Sequence, residues 1–66
     1  MKVHFDRQSD AIYFLLDDSR VAESQEVKPG IILDFNEEHQ LVGVEILDAG
    51  KRIPEASLRK MQFEFG

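Results

Sequence analysis

The chain has 66 residues, thirteen Asp or Glu against eight Lys or Arg, and no cysteine, for a net charge of −5. These values exclude disulfide staples, thiolate nucleophiles, cysteine-based zinc sites and cysteine-held iron–sulfur clusters. With 42% apolar and 32% charged residues, the composition is that of one globular domain spanning residues 1–66. The acidic balance argues against a nucleic-acid backbone as partner. No apolar run is long enough for a membrane span or a secretory signal, so a cytoplasmic location is expected.

Lys2 to Asp6 alternates, with Val3 and Phe5 on one side and Lys2, His4 and Asp6 on the other, the period of a half-buried strand. Arg7-Gln8-Ser9 is polar and flanked by Asp6 and Asp10, whose short carboxylates suit a turn. Ala11-Ile12-Tyr13-Phe14-Leu15-Leu16 is rich in aromatic and branched residues and reads as a second strand. Asp17-Asp18-Ser19 follows as a turn. Val21 to Lys28 is more polar and reads as an exposed strand, bulged, whose charges discourage stray pairing.

Pro29-Gly30 fits the centre of a type II turn, and Ile31 to Phe35 forms the next strand. Asn36 to Gln40 is a hairpin loop. Leu41 to Leu47 is the fifth strand, and Gly43 inside it signals a bulge or a close approach. Asp48 suits the cap of a short helical turn through Ala49 to Arg52, and Pro54 suits the first position of a further helix. Leu58, Met61 and Phe65 repeat with helical spacing, while Met61, Phe63 and Phe65 also alternate with strand spacing. The helical reading carries the helix to about residue 61. The architecture expected is therefore α+β: a small antiparallel β-meander of four to five strands with a C-terminal helix packed on one face.

Parity places Val3, Phe5, Ile12, Phe14, Leu16, Ile31, Leu33, Phe35, Val42, Val44 and Ile46 on an inner face that the helix can cover. The other face is not wholly polar. Tyr13, Leu15, Ile32 and Leu47 lie there beside His4, Asp34 and Glu45, and four apolar residues in one area mark a candidate interface. Tyr13 is its natural anchor, because Tyr is enriched at interface hot spots. Ordering so short a chain costs on the order of 100 kcal/mol. Small domains offset this with disulfides, metals, tight packing or association, and disulfides are absent here.

Chemistry-bearing constellations are few. His4, Asp6 and Asp10 converge near the first turn as the nearest thing to a metal or acid–base site, but one His is too few ligands for a zinc centre. Asp17-Asp18-Ser19 lacks the alternating ligands and terminal Glu of a calcium loop. Asp34 and Glu45 sit on neighbouring strands without a register to make them a catalytic pair. Lys51, Arg52, Arg59 and Lys60 are the one basic cluster. No phosphate loop, nucleophile elbow or zincin helix is present, so no catalytic residue, metal or cofactor is assigned.

Val21-Ala22-Glu23-Ser24-Gln25-Glu26-Val27-Lys28-Pro29-Gly30 and the following Ile31-Ile32-Leu33-Asp34-Phe35 resemble the VAES-x-EV-x-PG core of a small prokaryotic family, the domain of unknown function numbered 2283. Leu41-Val42-Gly43-Val44-Glu45-Ile46-Leu47-Asp48-Ala49 is similar to its VVGIEILDAS, and Phe5-Asp6 with Asp10-Ala11-Ile12-Tyr13 to its YD…DALY. The likeness extends to about Arg52. Gly50 departs from the Ser usual after Asp-Ala, and Leu15 stands where a polar residue is common. The resemblance implies no activity and no catalytic residues. Members are often encoded beside small ribonuclease-like toxins, which implies an antitoxin-like role.

The function expected is a non-enzymatic protein-interaction module, an antitoxin-like binder of a basic partner protein. The alternatives are a homo-oligomeric structural protein, most simply a homodimer, and a small metal-dependent hydrolase using His4, Asp6 and Asp10.

Overall fold

A computed structural model describes residues 1–60. Five strands, β1 (Lys2–Asp6), β2 (Ala11–Leu15), β3 (Glu23–Lys28), β4 (Ile31–Phe35) and β5 (Leu41–Ile46), precede two four-residue helices, α1 (Ala49–Arg52) and α2 (Glu55–Leu58). All five strands form one antiparallel sheet in the order β1-β2-β5-β4-β3. The α+β class matches the sequence reading. The strand order refines it: β3 to β5 follow one another as a meander, but β2 pairs with β5. The segment after β2 therefore carries the chain to the far edge before β3 begins, a Greek-key connection.

The register fixes both faces. Val3, Phe14, Val44 and Leu33 lie in one cross-strand row, and Phe5, Ile12, Ile46 and Ile31 in the next. Side chains in such rows share a face, and these are residues that parity assigned inward. His4, Tyr13, Glu45 and Ile32 form a row of the opposite face, as do Lys2, Leu15, Gly43 and Asp34. Near Gly43 the register shifts, so that Phe35 stands opposite Leu41 and Val42 is the extra residue. Residues flanking a bulge bend the strand, and here Val42 is turned fully into the core. A second irregularity between Glu26 and Lys28 bulges the outer strand β3, whose residues are all exposed. Charge and a bulge together blunt that edge.

The turns follow the local chemistry. Gly30 has φ 83°, the left-handed geometry that Pro-Gly turns require. Asn36 is buried, and its Oδ1 accepts the N–H groups of Glu38 at 2.9 Å and Gln40 at 3.0 Å. That Asx-type closure lets His39 hold φ 63°. Asp6 Oδ1 accepts the N–H of Gln8 at 3.0 Å, and Asp17 accepts from both the N–H and the hydroxyl of Ser19. The turn N–H groups hold the Asp6 carboxyl below the ordinary carboxylate range, and the Ser19 hydroxyl does the same for Asp17.

The helices attach by a different cap from the one expected. Asp48 occupies the N-cap position of α1 but is left-handed, and its side chain makes no capping bond. Asp10, from the β1–β2 turn, performs that task. Its carbonyl accepts the N–H of Ala49 at 2.9 Å, and its carboxylate accepts the N–H of Gly50 at 3.0 and 3.2 Å. Arg52 closes the other side, donating from Nε to the Leu47 carbonyl at 2.8 Å and from its guanidinium to the Pro29 carbonyl. The first turn and the β3–β4 turn are thus both tied to α1. Pro54 caps α2 rather than opening it. The helical stripe and the alternation expected through Met61, Phe63 and Phe65 lie outside the described residues.

Core burial is shallow. Ile12 and Val42 are each 1% exposed and are the only large side chains fully shielded among the described residues; the small Ala49 is fully buried as well. On the same face Val3 is 36%, Phe5 39% and Leu41 39% exposed. Leu58 of α2 approaches Phe5 across an open cleft of about 270 Å³. The radius of gyration is 12.5 Å, against roughly 11 Å for a compact chain of this length.

The division of labour between the two aspartates is directly testable. Asp10→Ala should cost about 1 kcal/mol of unfolding stability, the usual value of a lost N-cap, and Asp48→Ala distinctly less. Urea denaturation of the two variants decides between this and a cap made by Asp48, which would reverse the order.

Candidate functional site

Gly43 creates the most organised polar feature of the molecule. It sits on the central strand β5 between Leu15 and Asp34. Having no side chain, it leaves a gap on the sheet face that the diagonal neighbour Tyr13 can cross. The Tyr13 hydroxyl donates to Asp34 Oδ2 at 2.9 Å, and the Ser24 hydroxyl of β3 donates to Asp34 Oδ1 at 2.6 Å. Three strands are bridged by one buried carboxylate, 8% exposed. A methyl group on Gly43 would lie 2.3 Å from the Tyr13 hydroxyl and 2.8 Å from the ring carbon bearing it. Gly43 is therefore required by the tyrosine's path, the close approach that its place inside a strand predicts.

The phenol is tuned by this setting. Burial pushes the Tyr13 hydroxyl above its free value of 10.0; its bond to Asp34, the Asp34 charge and the Glu45 charge add to the effect. At neutral pH the hydroxyl therefore remains a donor. The charged groups on this face are Lys2, His4, Asp6, Glu26, Asp34 and Glu45, so carboxylates prevail.

The four apolar residues proposed for this face divide as follows. Tyr13 and Ile32 lie in one row, on either side of Glu45, and Leu15 lies in the row of Gly43 and Asp34. Leu47 follows β5, where its N–H donates to the Gly30 carbonyl at 2.8 Å. All four are half-buried. The chemical alternatives are occupied by structural duties. Asp6 and Asp10 hold a turn and a helix start, and among the described residues no group of three His, Asp or Glu side chains is placed to hold a metal ion. Asp34 and Glu45 are diagonal rather than directly opposed, and Asp34 already accepts two hydroxyls. In the basic cluster Arg52 is engaged by backbone carbonyls, and Arg59 pairs with Glu55 at 2.8 Å on the exposed side of α2.

The Tyr13–Asp34–Ser24 network was not anticipated from the residues one by one. Its signal is present in retrospect: an isolated Gly in an apolar strand, with a Tyr and an Asp of matching parity on other strands.

A family model described as "Protein of unknown function (DUF2283)" matches residues 2–49. The chain belongs to the DUF2283 family. The matched span contains all five strands, the Tyr13 network and Asp10 with its partner Ala49, and stops at the start of α1. Neither the curated proteins nor the solved structures provide a match to this DUF2283 chain. No described helix is long and apolar enough to cross a membrane.

Tyr13 is the only tyrosine and the chain has no tryptophan, so phenolate absorbance reports this site alone. The titration midpoint should lie above 10.0 in the folded protein and return to the ordinary value in urea. Asp34→Asn should lower it only in part, since burial is the larger cause. The folded state holds the phenol proton more tightly than the unfolded state. Its stabilising effect is therefore complete below pH 10 and is lost as pH rises through the folded midpoint. Gly43→Ala should abolish the raised midpoint and cost about 1–3 kcal/mol through overpacking. Tyr13→Ala in the same chain should recover part of that loss, a non-additivity read from a double-mutant cycle.

Proposed function

We propose that this protein is a non-enzymatic protein-binding module that takes up a basic partner protein on the sheet face bearing Tyr13, Leu15, Ile32 and Leu47. The observation that carries this reading is the fixing of Tyr13 over Gly43 by Asp34. A tyrosine held in one position loses little side-chain entropy on binding, and rigid aromatic anchors contribute most to interface energy. Around it the chain offers apolar contact from Leu15 and Ile32 and a carboxylate from Glu45 in the same row.

Charge supplies the choice of partner. The net charge is −5, and the face carries Asp6, Glu26, Asp34 and Glu45 against Lys2. Such a surface speeds the approach of a positively charged molecule and repels acidic ones. A lysine or arginine of the partner can rest on the Tyr13 ring as a cation–π contact while pairing with Glu45. In the antitoxin-like form of this role, which family likeness suggests, the basic partner is a toxin and the module acts in the cytoplasm.

The test begins with the tagged full-length protein expressed in its native host and identification of what it retains. Binding is then measured calorimetrically with that purified protein. The retained protein should be basic, and Tyr13→Ala should weaken binding at least tenfold without loss of the folded circular-dichroism spectrum. Glu45→Lys should weaken it further and reduce its dependence on salt. An acidic partner, or undiminished binding by both variants, overturns the proposal.

A further inference from the structure

The two edges of the sheet differ. At one edge β3 is bulged between Glu26 and Lys28 and carries two acids against one lysine. At the other edge β1 is regular. Its register with β2 runs unbroken from Lys2 to Asp6, it holds no proline, and it carries one lysine against one aspartate. Among the described residues it pairs with β2 alone, which leaves alternate N–H and C=O groups along its outer side without a strand partner. All five of its residues are exposed.

We propose that β1 pairs with β1 of a second copy, antiparallel about His4, so that the two sheets become one. The residues of the strand select their own copy, because an isologous contact needs only a surface complementary to itself. Directly opposed residues of an antiparallel pair share a face, so an apolar residue must meet an apolar one. Centred on His4, the register sets Val3 opposite Phe5 of the second copy and Lys2 opposite its Asp6, and each pair occurs twice. His4 meets its counterpart at the axis. The neighbouring registers that keep the faces, centred on Val3 or on Phe5, shorten the ladder and lose both Lys2–Asp6 pairs.

The same register joins two further features. Met1 is the most exposed large apolar residue among those described, at 71%. The open cleft of about 270 Å³ beside β1 is lined by apolar Phe5 and Leu58 and by the charged Arg7, Asp10, Glu55 and Arg59. One residue beyond the strand, the ladder carries Met1 of each copy to Arg7 of the other, with the parity of Val3 and Phe5. Each copy thus offers the other's cleft an unbranched thioether that adapts to an irregular gap and covers Phe5 and Leu58. The contact is small, below the roughly 1,200 Å² of a stable specific interface. Main-chain bonds carry it, and the dissociation constant is on the order of 100 μM. The axis stands perpendicular to the sheet, so both Tyr13 faces lie on one side of the dimer.

Sedimentation equilibrium of the full chain over about 10 μM to 1 mM brackets that constant. The mass should pass from one chain of 7.6 kDa to two and stop there. Lys2→Glu sets like charges opposite each other at both ends of the ladder and should weaken association by about tenfold or more. Lys51→Glu, the same change of charge on α1, should leave it unaltered. Asp6→Lys should also fail alone, and an equimolar mixture of it with Lys2→Glu should restore the dimer, since each lysine then meets an acid across the ladder. Circular dichroism checks each fold; if Asp6→Lys unfolds with the turn that Asp6 holds, the contrast between Lys2→Glu and Lys51→Glu decides alone. Met1→Gly should weaken association about fivefold through lost apolar burial, and unchanged association overturns the seating in the cleft. One chain at every concentration overturns the proposal, including the case in which residues 61–66 of the same chain close the β1 edge. So does a mass rising past two chains, a dimer indifferent to Lys2→Glu, or one weakened equally by Lys51→Glu.

Discussion

The pairing of β2 with β5 is the constraint on which the molecule depends. Among the described residues it is the one ladder joining the β1–β2 hairpin to the β3–β5 meander. Its register sets Tyr13 opposite Glu45 and Leu15 opposite Gly43. A slip of one residue would exchange the two faces and take Tyr13 away from Asp34. The hydroxyl network and the Asp10 clasp both cross this joint from the hairpin side, to β4 and to α1 respectively. A single register thus decides what is apolar, what is acidic and where the tyrosine rests.

Much of this arrangement was legible in the residues. The alternation of Val3 and Phe5, of Ile12 and Phe14, and of Val44 and Ile46 assigned the faces correctly, because side-chain period is a local property of a strand. Pro29-Gly30 announced its turn, and the charges of Val21 to Lys28 announced an edge. The parts that escaped depend on contacts between distant segments. Asp48 looks like the cap of α1 because it stands next to the helix. Asp10 takes the task because the strand order brings the first turn there. In the same way Ser24, Asp34 and Tyr13 become one network only after β4 and β2 flank β5. Strand order itself leaves no local trace in a chain whose strands are all similar in length.

The two faces answer two different physical needs. Among the described residues the apolar side chains fully shielded are Ile12, Val42 and Ala49, little interior against the entropy of ordering, and association is one of the ways small domains meet such a deficit. The apolar rows from Val3 to Leu33 and from Phe5 to Ile31 can supply burial. The acidic face is arranged differently: its central carboxylate is fully committed to two hydroxyls, and its aromatic ring is immobilised. That rigidity adds little apolar burial, and it is the feature on which the proposed binding role rests.

The Greek-key order also shapes how the chain comes into being. Strand β2 leaves the ribosome after β1, its hairpin partner, and its other edge waits for β5, which is made only after β3 and β4. For that interval the backbone of the Ile12–Phe14 segment offers unpaired N–H and C=O groups beside apolar side chains, the combination that invites wrong pairing. Both local hairpins can close early, but the native sheet must wait for a contact between its distant halves, which places the rate of folding in the loop that joins them. The protein is therefore most vulnerable to capture by other chains during synthesis rather than after it.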